Sequence, residues 1–377
     1  GFRLALAHTD LPQAAPPHTM SHNNGLTPAQ AIFSEGFDAI IDVRSPAEFA
    51  HDHIPGAINC PVLSDAERVQ VGTLYKQVSP FEARKLGAAL VARNIAQHIE
   101  QHFAQQPKHW RPLIYCWRGG QRSGAMQIIL QQIGWQAQRL DGGYKAFRQH
   151  VIHNTAELAP RLRWHVLCAA TGSGKTRLLQ ALAAQGAQTF DLEVLAAHKG
   201  SMLGSLPNQA QPTQKAFETA LWQQLIRLDP SQPVFVEAES RKIGQLHIPG
   251  PLIDAIRQGT RIDLQAPLAA RVAFLLQDYA HFLHDPAAIQ TRLLRLKARH
   301  GGLTIAHWQD LVAQQQWAQL VQELLQQHYD PLYHQSQNFS YQGQRAPAPW
   351  LIDDLSPSGI EASARRIMQR YVQAQID

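Results

Sequence analysis

A glycine-rich loop is encoded by Ala169-Ala170-Thr171-Gly172-Ser173-Gly174-Lys175-Thr176. It follows the apolar run Val166-Leu167-Cys168 and precedes leucines at helical spacing, so the pattern predicts a strand, a loop and a helix. In that context the loop amides and the helix N-terminus bind a phosphate, Lys175 reaches its oxygens and Thr176 ligates Mg²⁺. Ala169 replaces the first glycine of the G-x-x-x-x-G-K-[ST] pattern. The predicted phosphate-binding residues are Thr171, Gly172, Ser173, Gly174, Lys175 and Thr176.

Carboxylates follow two predicted strands near this loop in the chain. Asp191 and Glu193 come after Thr189-Phe190, and Glu237 and Glu239 come after Val234-Phe235-Val236. Nucleotide hydrolysis needs an acidic residue near the end of a neighbouring strand to hold the shell of a metal ion. These four are therefore candidate metal or substrate contacts, with Mg²⁺ as the candidate ion and no certain ligand set. A structural pair between Glu237 and Arg241 or Lys242 is the alternative.

A second loop contains a cysteine at the end of another predicted strand. Its sequence is Tyr115-Cys116-Trp117-Arg118-Gly119-Gly120-Gln121-Arg122-Ser123-Gly124, and an apolar helical stretch follows. Loop amides, the helix N-terminus and two arginines would lower the pKa of the thiol and favour its nucleophilic thiolate. We predict Cys116 as the catalytic residue, in an oxyanion or chalcogen loop of Trp117, Arg118, Gly119, Gly120, Gln121 and Arg122. Cys60 and Cys168 lie in apolar surroundings and are predicted to be core residues.

The first part of the chain resembles the rhodanese family. The resemblance is carried by the cysteine loop and by the stretches Ile41-Asp42-Val43-Arg44-Ser45-Pro46-Ala47-Glu48-Phe49, His53-Ile54-Pro55-Gly56-Ala57-Ile58-Asn59 and Asp141-Gly142-Gly143-Tyr144. It implies that Cys116 accepts sulfur as a persulfide and that the loop amides hold the terminal chalcogen. Asp42 and Arg44 are expected to be structural.

One departure from that family leaves an alternative open. Five residues separate Cys116 from Arg122, whereas small sulfurtransferases usually have four, and C-x5-R is also the spacing of cysteine-dependent phosphatases. A cysteine phosphatase or arsenate reductase fused to a kinase-like domain is therefore a second hypothesis. Tyr115, where phosphatases usually carry His, argues against it. The larger loop also suits a sulfur or selenium donor that is itself a phosphate compound.

Composition places the chain among globular proteins. It has 377 residues, 45% hydrophobic and 17% charged, and domains of about 100–200 residues make two domains the natural division. No apolar run approaches the about 20 residues that cross a bilayer, so no membrane association is expected. Three cysteines are too few for a disulfide framework, which favours a reducing, cytoplasmic location. The net charge of +5 gives a mild bias toward polyanions.

The alternation of apolar runs and amphipathic stretches predicts an α/β fold with two parallel sheets. Residues 1–25, which include Met20, are expected to be a disordered extension or an artefact at the start of the chain. A rhodanese-like domain is predicted for residues 26–150, with strands Ala39-Ile40-Ile41 and Leu113-Ile114-Tyr115. Residues 151–162 have no strong pattern and are predicted to be a linker. A P-loop domain with a helical C-terminal part is predicted for residues 163–377, with a further strand at Ile262-Asp263-Leu264.

The combination of both loops resembles the tRNA 2-selenouridine synthase family. Further similar stretches are Asp191-Leu192-Glu193, Ala197-His198-Lys199-Gly200-Ser201, Gln211-Pro212-Thr213-Gln214-Lys215 and Glu237-Ala238-Glu239-Ser240-Arg241-Lys242-Ile243-Gly244. The resemblance implies replacement of sulfur by selenium in wobble 2-thiouridine of tRNA, through S-geranylation. Selenophosphate and geranyl diphosphate would be co-substrates, ATP would not be required, and a selenophosphate-producing enzyme would be a partner.

Two sets of arginines are candidate tRNA contacts. Arg292, Arg295 and Arg299 are three and four residues apart, as on one helix face, and Arg366 and Arg370 repeat this spacing near the C-terminus. A solvated helix face is the alternative for both sets. A nucleotide-switched binding module without enzymatic activity is a third hypothesis for the whole chain, and it would tolerate loss of Cys116. The sequence predicts no oligomeric state.

Overall fold

The computed structural model describes residues 36–198, 210–278, 280, 285–343 and 347–372. The predicted extension of residues 1–25, the start of the first domain and the stretch Lys199-Gly200-Ser201 lie outside these residues. Two parallel sheets flanked by helices confirm the predicted α/β class. Among the described residues, no helix is both long and apolar enough to cross a lipid bilayer.

The first sheet has four parallel strands in the order β2-β1-β3-β4. The strands are β1 Ala39–Asp42, β2 Ala57–Asn59, β3 Pro112–Tyr115 and β4 Gln138–Arg139. The helices are α1 Pro46–His51, α2 Asp65–Gln77, α3 Pro80–His98, α4 Gln121–Ile133 and α5 Gly143–Leu158, and α3 continues as a π-helical turn, Ile99–Phe103. Strands β1 and β3 confirm the predicted ones. We did not predict β2, which has three residues, one of them the exposed Ile58, and therefore too little apolar pattern.

The second sheet has five strands in the order β11-β10-β5-β7-β6. The strands are β5 Arg163–Ala169, β6 Gln188–Phe190, β7 Pro233–Glu237, β10 Thr260–Gln265 and β11 Trp350–Leu351, and a small hairpin is formed by β8 Lys242–Ile243 and β9 Leu246–His247. The helices around it are α6 Lys175–Ala184, α7 Leu192–Leu195, α8 Gln214–Leu225 and α9 Gly250–Arg257. All five strands run parallel, so β5 delivers the glycine-rich loop to the middle of the carboxyl edge.

The C-terminal part is helical, as predicted, apart from β11. Its helices are α10 Leu268–Asp278, α11 Pro286–Leu294, α12 Lys297–Ala313, α13 Trp317–Leu324, α14 Asp330–Ser340 and α15 Pro357–Tyr371, with a π-helical turn at Leu325–Tyr329. Its own apolar cluster is centred on Trp308, which is fully buried. Helix α15 packs instead against α6, beside the second sheet.

The segment predicted to be a linker is ordered helix. Helix α5 continues to Leu158, a 3₁₀ turn at Ala159–Arg161 follows, and β5 begins at Arg163. Val151 and Thr155 are buried. The segment has no strong pattern because α5 is covered by the first sheet on one part of its surface and by the second domain on another.

The two domains share an apolar core. Trp222 of α8 is fully buried in a cluster that otherwise contains residues of the first domain, including Leu140 and Phe147. Its indole N–H donates to Asn154 Oδ1 at 2.9 Å, on α5. Helix α8 of the second domain is therefore docked on the first domain through packing, and not through a flexible connection.

The prediction that Arg292, Arg295 and Arg299 lie on one helix face is wrong. Arg292 lies in the last turn of α11, Arg295 follows that helix, and Arg299 lies in α12. Leu293 and Leu296 are buried at the bend, so packing breaks the helix between the arginines. Arg366 and Arg370 do share helix α15 and are exposed, with their guanidinium carbons 5.5 and 5.7 Å from the Trp350 ring centroid.

We predict that Trp222→Ala lowers the free energy of unfolding by about 3–5 kcal/mol, the usual cost of removing a large buried aromatic side chain. Denaturant unfolding monitored by circular dichroism measures it. Leu303, which is 90% exposed, is the control, and its change to alanine should cost less than about 0.5 kcal/mol. A cost for Trp222→Ala as small as that of the control would contradict the shared core.

Candidate functional site

The Cys116 side chain lies in the loop between β3 and α4, with 3% of its surface exposed. Its Sγ accepts hydrogen bonds from the Gly120 amide and the Ser123 hydroxyl, each at 3.2 Å. Ser123 is fully buried in the first turn of α4. Sequence reasoning missed Ser123 as a site residue. The available signal in the sequence was its position directly after Arg122, at the start of the predicted helix.

These contacts act on the charge of the thiol. Burial opposes ionisation of Cys116, but hydrogen bonds from Ser123 and the Arg118 amide and the charge of Arg122 outweigh it, so the pKa is lowered. In contrast, burial raises the pKa of Cys60 to about 12, with a contribution from Asp42, and burial also raises the pKa of Cys168. Both lie in the core, as predicted. Cys116 is therefore the one of the three cysteines whose pKa the structure lowers.

Arg122 acts on the thiol through its charge and forms an ion pair with a carboxylate of α1. Its Nη1 lies 2.9 Å from Glu48 Oε2, and Arg68 Nε lies 3.3 Å from the same oxygen. Burial would raise the pKa of Glu48, but the hydrogen bond and charge of Arg122 lower it overall. Helix α1 thus holds Arg122 at the edge of the loop through an ionised carboxylate.

The loop rests on the start of α5. The amides of Tyr144 and Lys145 donate to the carbonyls of Cys116 and Trp117, both at 2.9 Å. Gly143 has φ +57°, and a Cβ there would lie 2.4 Å from the Cys116 carbonyl oxygen. The Asp141-Gly142-Gly143-Tyr144 stretch therefore supports the cysteine loop from beneath, and only glycine allows so close an approach.

Asp42 and Arg44 are structural, as predicted. Their side chains form a buried ion pair with 2.6 Å between Asp42 Oδ2 and Arg44 Nη2. Arg44 Nη2 also donates to the Asp52 carbonyl at 2.7 Å, and its guanidinium carbon lies 3.9 Å from the Tyr144 ring centroid. Neither side chain contacts Cys116 Sγ.

The glycine-rich loop has the conformation that a phosphate cradle requires. Gly172 and Gly174 have φ of +81° and +73°, and α6 begins at Lys175. Lys175 Nζ donates to the Ala169 carbonyl at 2.9 Å, across the loop. All six predicted phosphate-binding residues line one cavity of about 880 Å³. The structure thus brings this predicted set together.

Three of the four predicted carboxylates also line that cavity. Oxygens of Glu193, Glu237 and Glu239 lie within 4.8 Å of one another, and Thr176 Oγ1 is 3.5 Å from Glu193 Oε2. Glu237 is 3% exposed, and no described residue donates to its Oε1. Burial and the charge of Glu193 raise the pKa of Glu237 to about 8 and that of Glu239 to about 7. Crowded carboxylates beside a threonine hydroxyl fit a divalent cation.

Asp191 and the predicted ion pair of Glu237 do not belong to this cluster in the structure. Asp191 accepts from the Val194 amide at 2.9 Å and caps α7, outside the carboxylate cluster. The alternative pair of Glu237 with Arg241 or Lys242 is wrong. Arg241 Nη2 lies 3.3 Å from Asp254, and among the described residues no ion pair joins Glu237 to Arg241 or Lys242. Arg271, missed by sequence reasoning, donates to the Thr171 carbonyl at 2.9 Å and pairs with Asp330.

The helical C-terminal part forms the opposite wall of the cavity. Apolar side chains there include Phe274, Leu275 and Leu296, and exposed cations include Arg295 and Arg299. Two of the arginines predicted to contact tRNA therefore line the same cavity as the phosphate loop. Arg271 links this wall to the loop by holding Thr171 and Asp330 together.

These geometries define a class of two-domain α/β proteins that combine a cysteine loop with a glycine-rich loop of the phosphate-binding type. A profile of the tRNA 2-selenouridine synthase AAA domain matches residues 162–346, and one of the rhodanese-like domain matches residues 27–150. The chain belongs to the tRNA 2-selenouridine synthase family.

Relatives in this family carry the name tRNA 2-selenouridine synthase. The one from Alcanivorax borkumensis is 34% identical over 347 residues, covering 81% of this chain and 93% of the relative. Those from Nitrosomonas europaea and Aeromonas salmonicida are 38% and 37% identical, covering 64% and 65% of this chain. The match spans 63% and 65% of the length of these two relatives, slightly less than two thirds.

We predict that Ser123→Ala slows alkylation of Cys116 by iodoacetamide near neutral pH about two- to ten-fold, because one hydrogen bond to the thiolate is lost. The pH at which the rate is half its maximum should move upward, since the thiolate is the nucleophile. Peptide mass spectrometry of a pH series measures this, with unlabelled Cys60 and Cys168 as internal controls for the fold. An unchanged pH profile would show that the Ser123 contact does not stabilise the thiolate.

A second prediction concerns Glu237→Gln in protein stripped of divalent cations. The unfolded chain ionises Glu237 near 4.5 and the folded protein near 8, so the wild type loses stability as pH rises between these values. The variant should therefore gain free energy of unfolding relative to wild type at about pH 9 and not at about pH 5, by the order of a few kcal/mol. Denaturant unfolding at both pH values tests this. An equal effect at both would show that Glu237 is ionised in the fold.

Proposed function

We propose that this protein replaces sulfur by selenium in wobble 2-thiouridine of tRNA, with an S-geranylated intermediate. The observation that carries the proposal is that this chain contains two sites. One is a cysteine loop that lowers the pKa of its thiol, and the other is a phosphate loop beside an apolar wall. The names of the relatives support the tRNA substrate and the selenium product. Geranyl diphosphate and selenophosphate are the proposed co-substrates, and ATP is not required.

The phosphate-loop cavity is the proposed site of geranyl transfer. Lys175, the loop amides and the positive end of α6 suit a diphosphate. Phe274, Leu275 and Leu296 offer an apolar surface for a prenyl chain beside those charges. Thr176 and the carboxylates of Glu193 and Glu237 would hold Mg²⁺, which would offset diphosphate charge when bound.

The proposed chemistry turns a poor leaving group into a better one. The sulfur of 2-thiouridine attacks the first carbon of the geranyl chain, the carbon–oxygen bond breaks, and diphosphate leaves. Lys175 then stabilises the charge that develops on the departing oxygens. Selenium then attacks the carbon that carries the thioether. The carbon–sulfur bond breaks, and the sulfur departs with its geranyl chain as geranylthiol. The selenium comes from selenophosphate by way of the Cys116 thiolate.

Basic side chains support the tRNA proposal. Arg295 and Arg299 lie on the cavity wall opposite the phosphate loop, where they could contact phosphates that flank the wobble nucleotide. Arg292, Arg366 and Arg370 stay proposals for more distant contacts. A selenophosphate-producing enzyme is the proposed source of the donor, and the cytoplasm, which contains tRNA, is the proposed location.

We predict that Lys175→Ala and Cys116→Ser fail at different steps. Lys175→Ala should lower geranylation about ten- to a hundred-fold, because one charge-assisted contact is worth about 1.5–3 kcal/mol. It should lower selenation of already geranylated tRNA much less. The Cys116→Ser variant should geranylate 2-thiouridine tRNA at the normal rate. It should fail to incorporate selenium into either this RNA or the already geranylated one. Nucleoside mass spectrometry after incubation of each variant with each RNA measures this.

Controls make these outcomes decisive. Circular dichroism excludes unfolded variants, and Cys168→Ser, which removes a buried thiol of high pKa, should keep both activities if folded. Equal failure of Lys175→Ala on both RNAs would place Lys175 in a shared step. ATP hydrolysis by wild type that is required for either reaction would show that the phosphate loop binds a different ligand.

A further inference from the structure

The Cys116 loop has the geometry of a site that performs chemistry at phosphorus. Five residues separate the thiol from Arg122, and the hydroxyl of the next residue, Ser123, donates to Sγ at 3.2 Å. A donor aimed at sulfur stabilises a thiolate that attacks, and stabilises it again when it leaves. A sulfur that bonds to phosphorus and is then displaced needs both effects.

The loop also presents donors for phosphate oxygens. In the described part of the chain, no backbone carbonyl accepts from the amides of Trp117 or Gly119, while the Arg118 amide donates to Cys116. The peptide carbonyls of Cys116 and Trp117 are held underneath by α5, so the loop keeps its curvature without using those amides. Arg122 is tied to Glu48 through Nη1, and a guanidinium has five N–H donors, so others can reach an oxyanion.

Electron balance selects the atom that is attacked. If the thiolate attacked the selenium of selenophosphate, the bonding pair would stay on phosphorus, which would be reduced to phosphite. If it attacks phosphorus, the phosphorus–selenium bond breaks, its electron pair leaves with selenium, and a proton gives hydrogen selenide. Selenide is the nucleophile that displacement of a thioether group needs, and no oxidant or reductant enters.

We propose that Cys116 attacks the phosphorus of selenophosphate, becomes transiently phosphorylated and releases selenide. Water then attacks the phosphorus, the Sγ–phosphorus bond breaks, and the thiolate and inorganic phosphate are regenerated. Gly120 and Ser123 stabilise the sulfur in both steps, and Arg122 binds the phosphoryl oxygens. The identity of the donor rests on the proposed function, while the reaction at phosphorus rests on the loop itself.

The test uses monothiophosphate, in which sulfur takes the place of selenium, with the purified full-length chain and no tRNA. Rapid quenching and peptide mass spectrometry should find Cys116 with one added phosphoryl group, and sulfide should be released in equal amount. Ser123→Ala should slow formation of this species about two- to ten-fold and its breakdown by about ten-fold or more, so the species should persist longer than in the wild type. Phosphorus NMR should show phosphate as the final product.

Matched arginine variants separate catalysis from packing. Arg122→Lys should slow formation of the phosphorylated species about a hundred-fold, because lysine cannot provide the planar fork. Arg68 is the other arginine that contacts Glu48, and it lies outside the loop. The Arg68→Lys change should leave the rate of formation unchanged. Equal effects of both changes would assign Arg122 to support of α1 and overturn its role.

Two results on wild-type protein would overturn the proposal. One is Cys116 that gains a single sulfur atom, with phosphite as product. The other is no sulfide release from monothiophosphate and no selenide release from selenophosphate. Selenation of tRNA is measured in parallel: selenation without a phosphorylated cysteine removes this inference alone, and a phosphorylated cysteine without selenation removes the proposed function and leaves the reaction at phosphorus.

Discussion

The buried carboxylate of Asp52 joins the cysteine loop to the second domain. Its Oδ2 accepts from the Tyr144 hydroxyl at 2.6 Å and from the Thr219 hydroxyl at 3.0 Å, and Arg148 lies 3.8 Å away. Its backbone carbonyl accepts from Arg44. A carboxylate that is 3% exposed is costly to bury unless such partners surround it. Tyr144 and Thr219 belong to different domains, so satisfying Asp52 requires both domains in place.

This network continues toward both sites. Tyr144 follows Gly143, which lies against the Cys116 carbonyl. The centroid of the Tyr144 ring lies 5.4 Å from that of Trp117, with 37° between the ring planes. On the other side, Gln211, just before α8, donates to the Ala196 carbonyl at 3.1 Å, next to the helix that carries Glu193. The same interface therefore contacts the supports of the thiol and of the carboxylate cluster.

The features that could be predicted from the sequence are those encoded by neighbouring residues. The strand before each loop, the glycines that allow positive φ, and the residues Cys116 and Lys175 follow from short-range order. The partner of Arg122 could not be predicted, because Glu48 is distant in the chain and meets it only when α1 packs beside α4. Arg295 and Arg299 gave a helical spacing, but burial of Leu293 and Leu296 broke the helix and directed both arginines to the cavity.

Helix α5 runs without interruption from beneath the cysteine loop to the 3₁₀ turn before β5. Its buried residues pack on both domains, so residues 143–161 form a continuous helical connection between the two sheets. Selenide released at the cysteine loop and the nucleoside geranylated at the phosphate loop would therefore meet by diffusion of the selenide or by rebinding of the RNA, and not by bending of this connection. The order of the two reactions would then follow from the chemistry, since only the geranylated nucleoside carries a leaving group that selenide can displace.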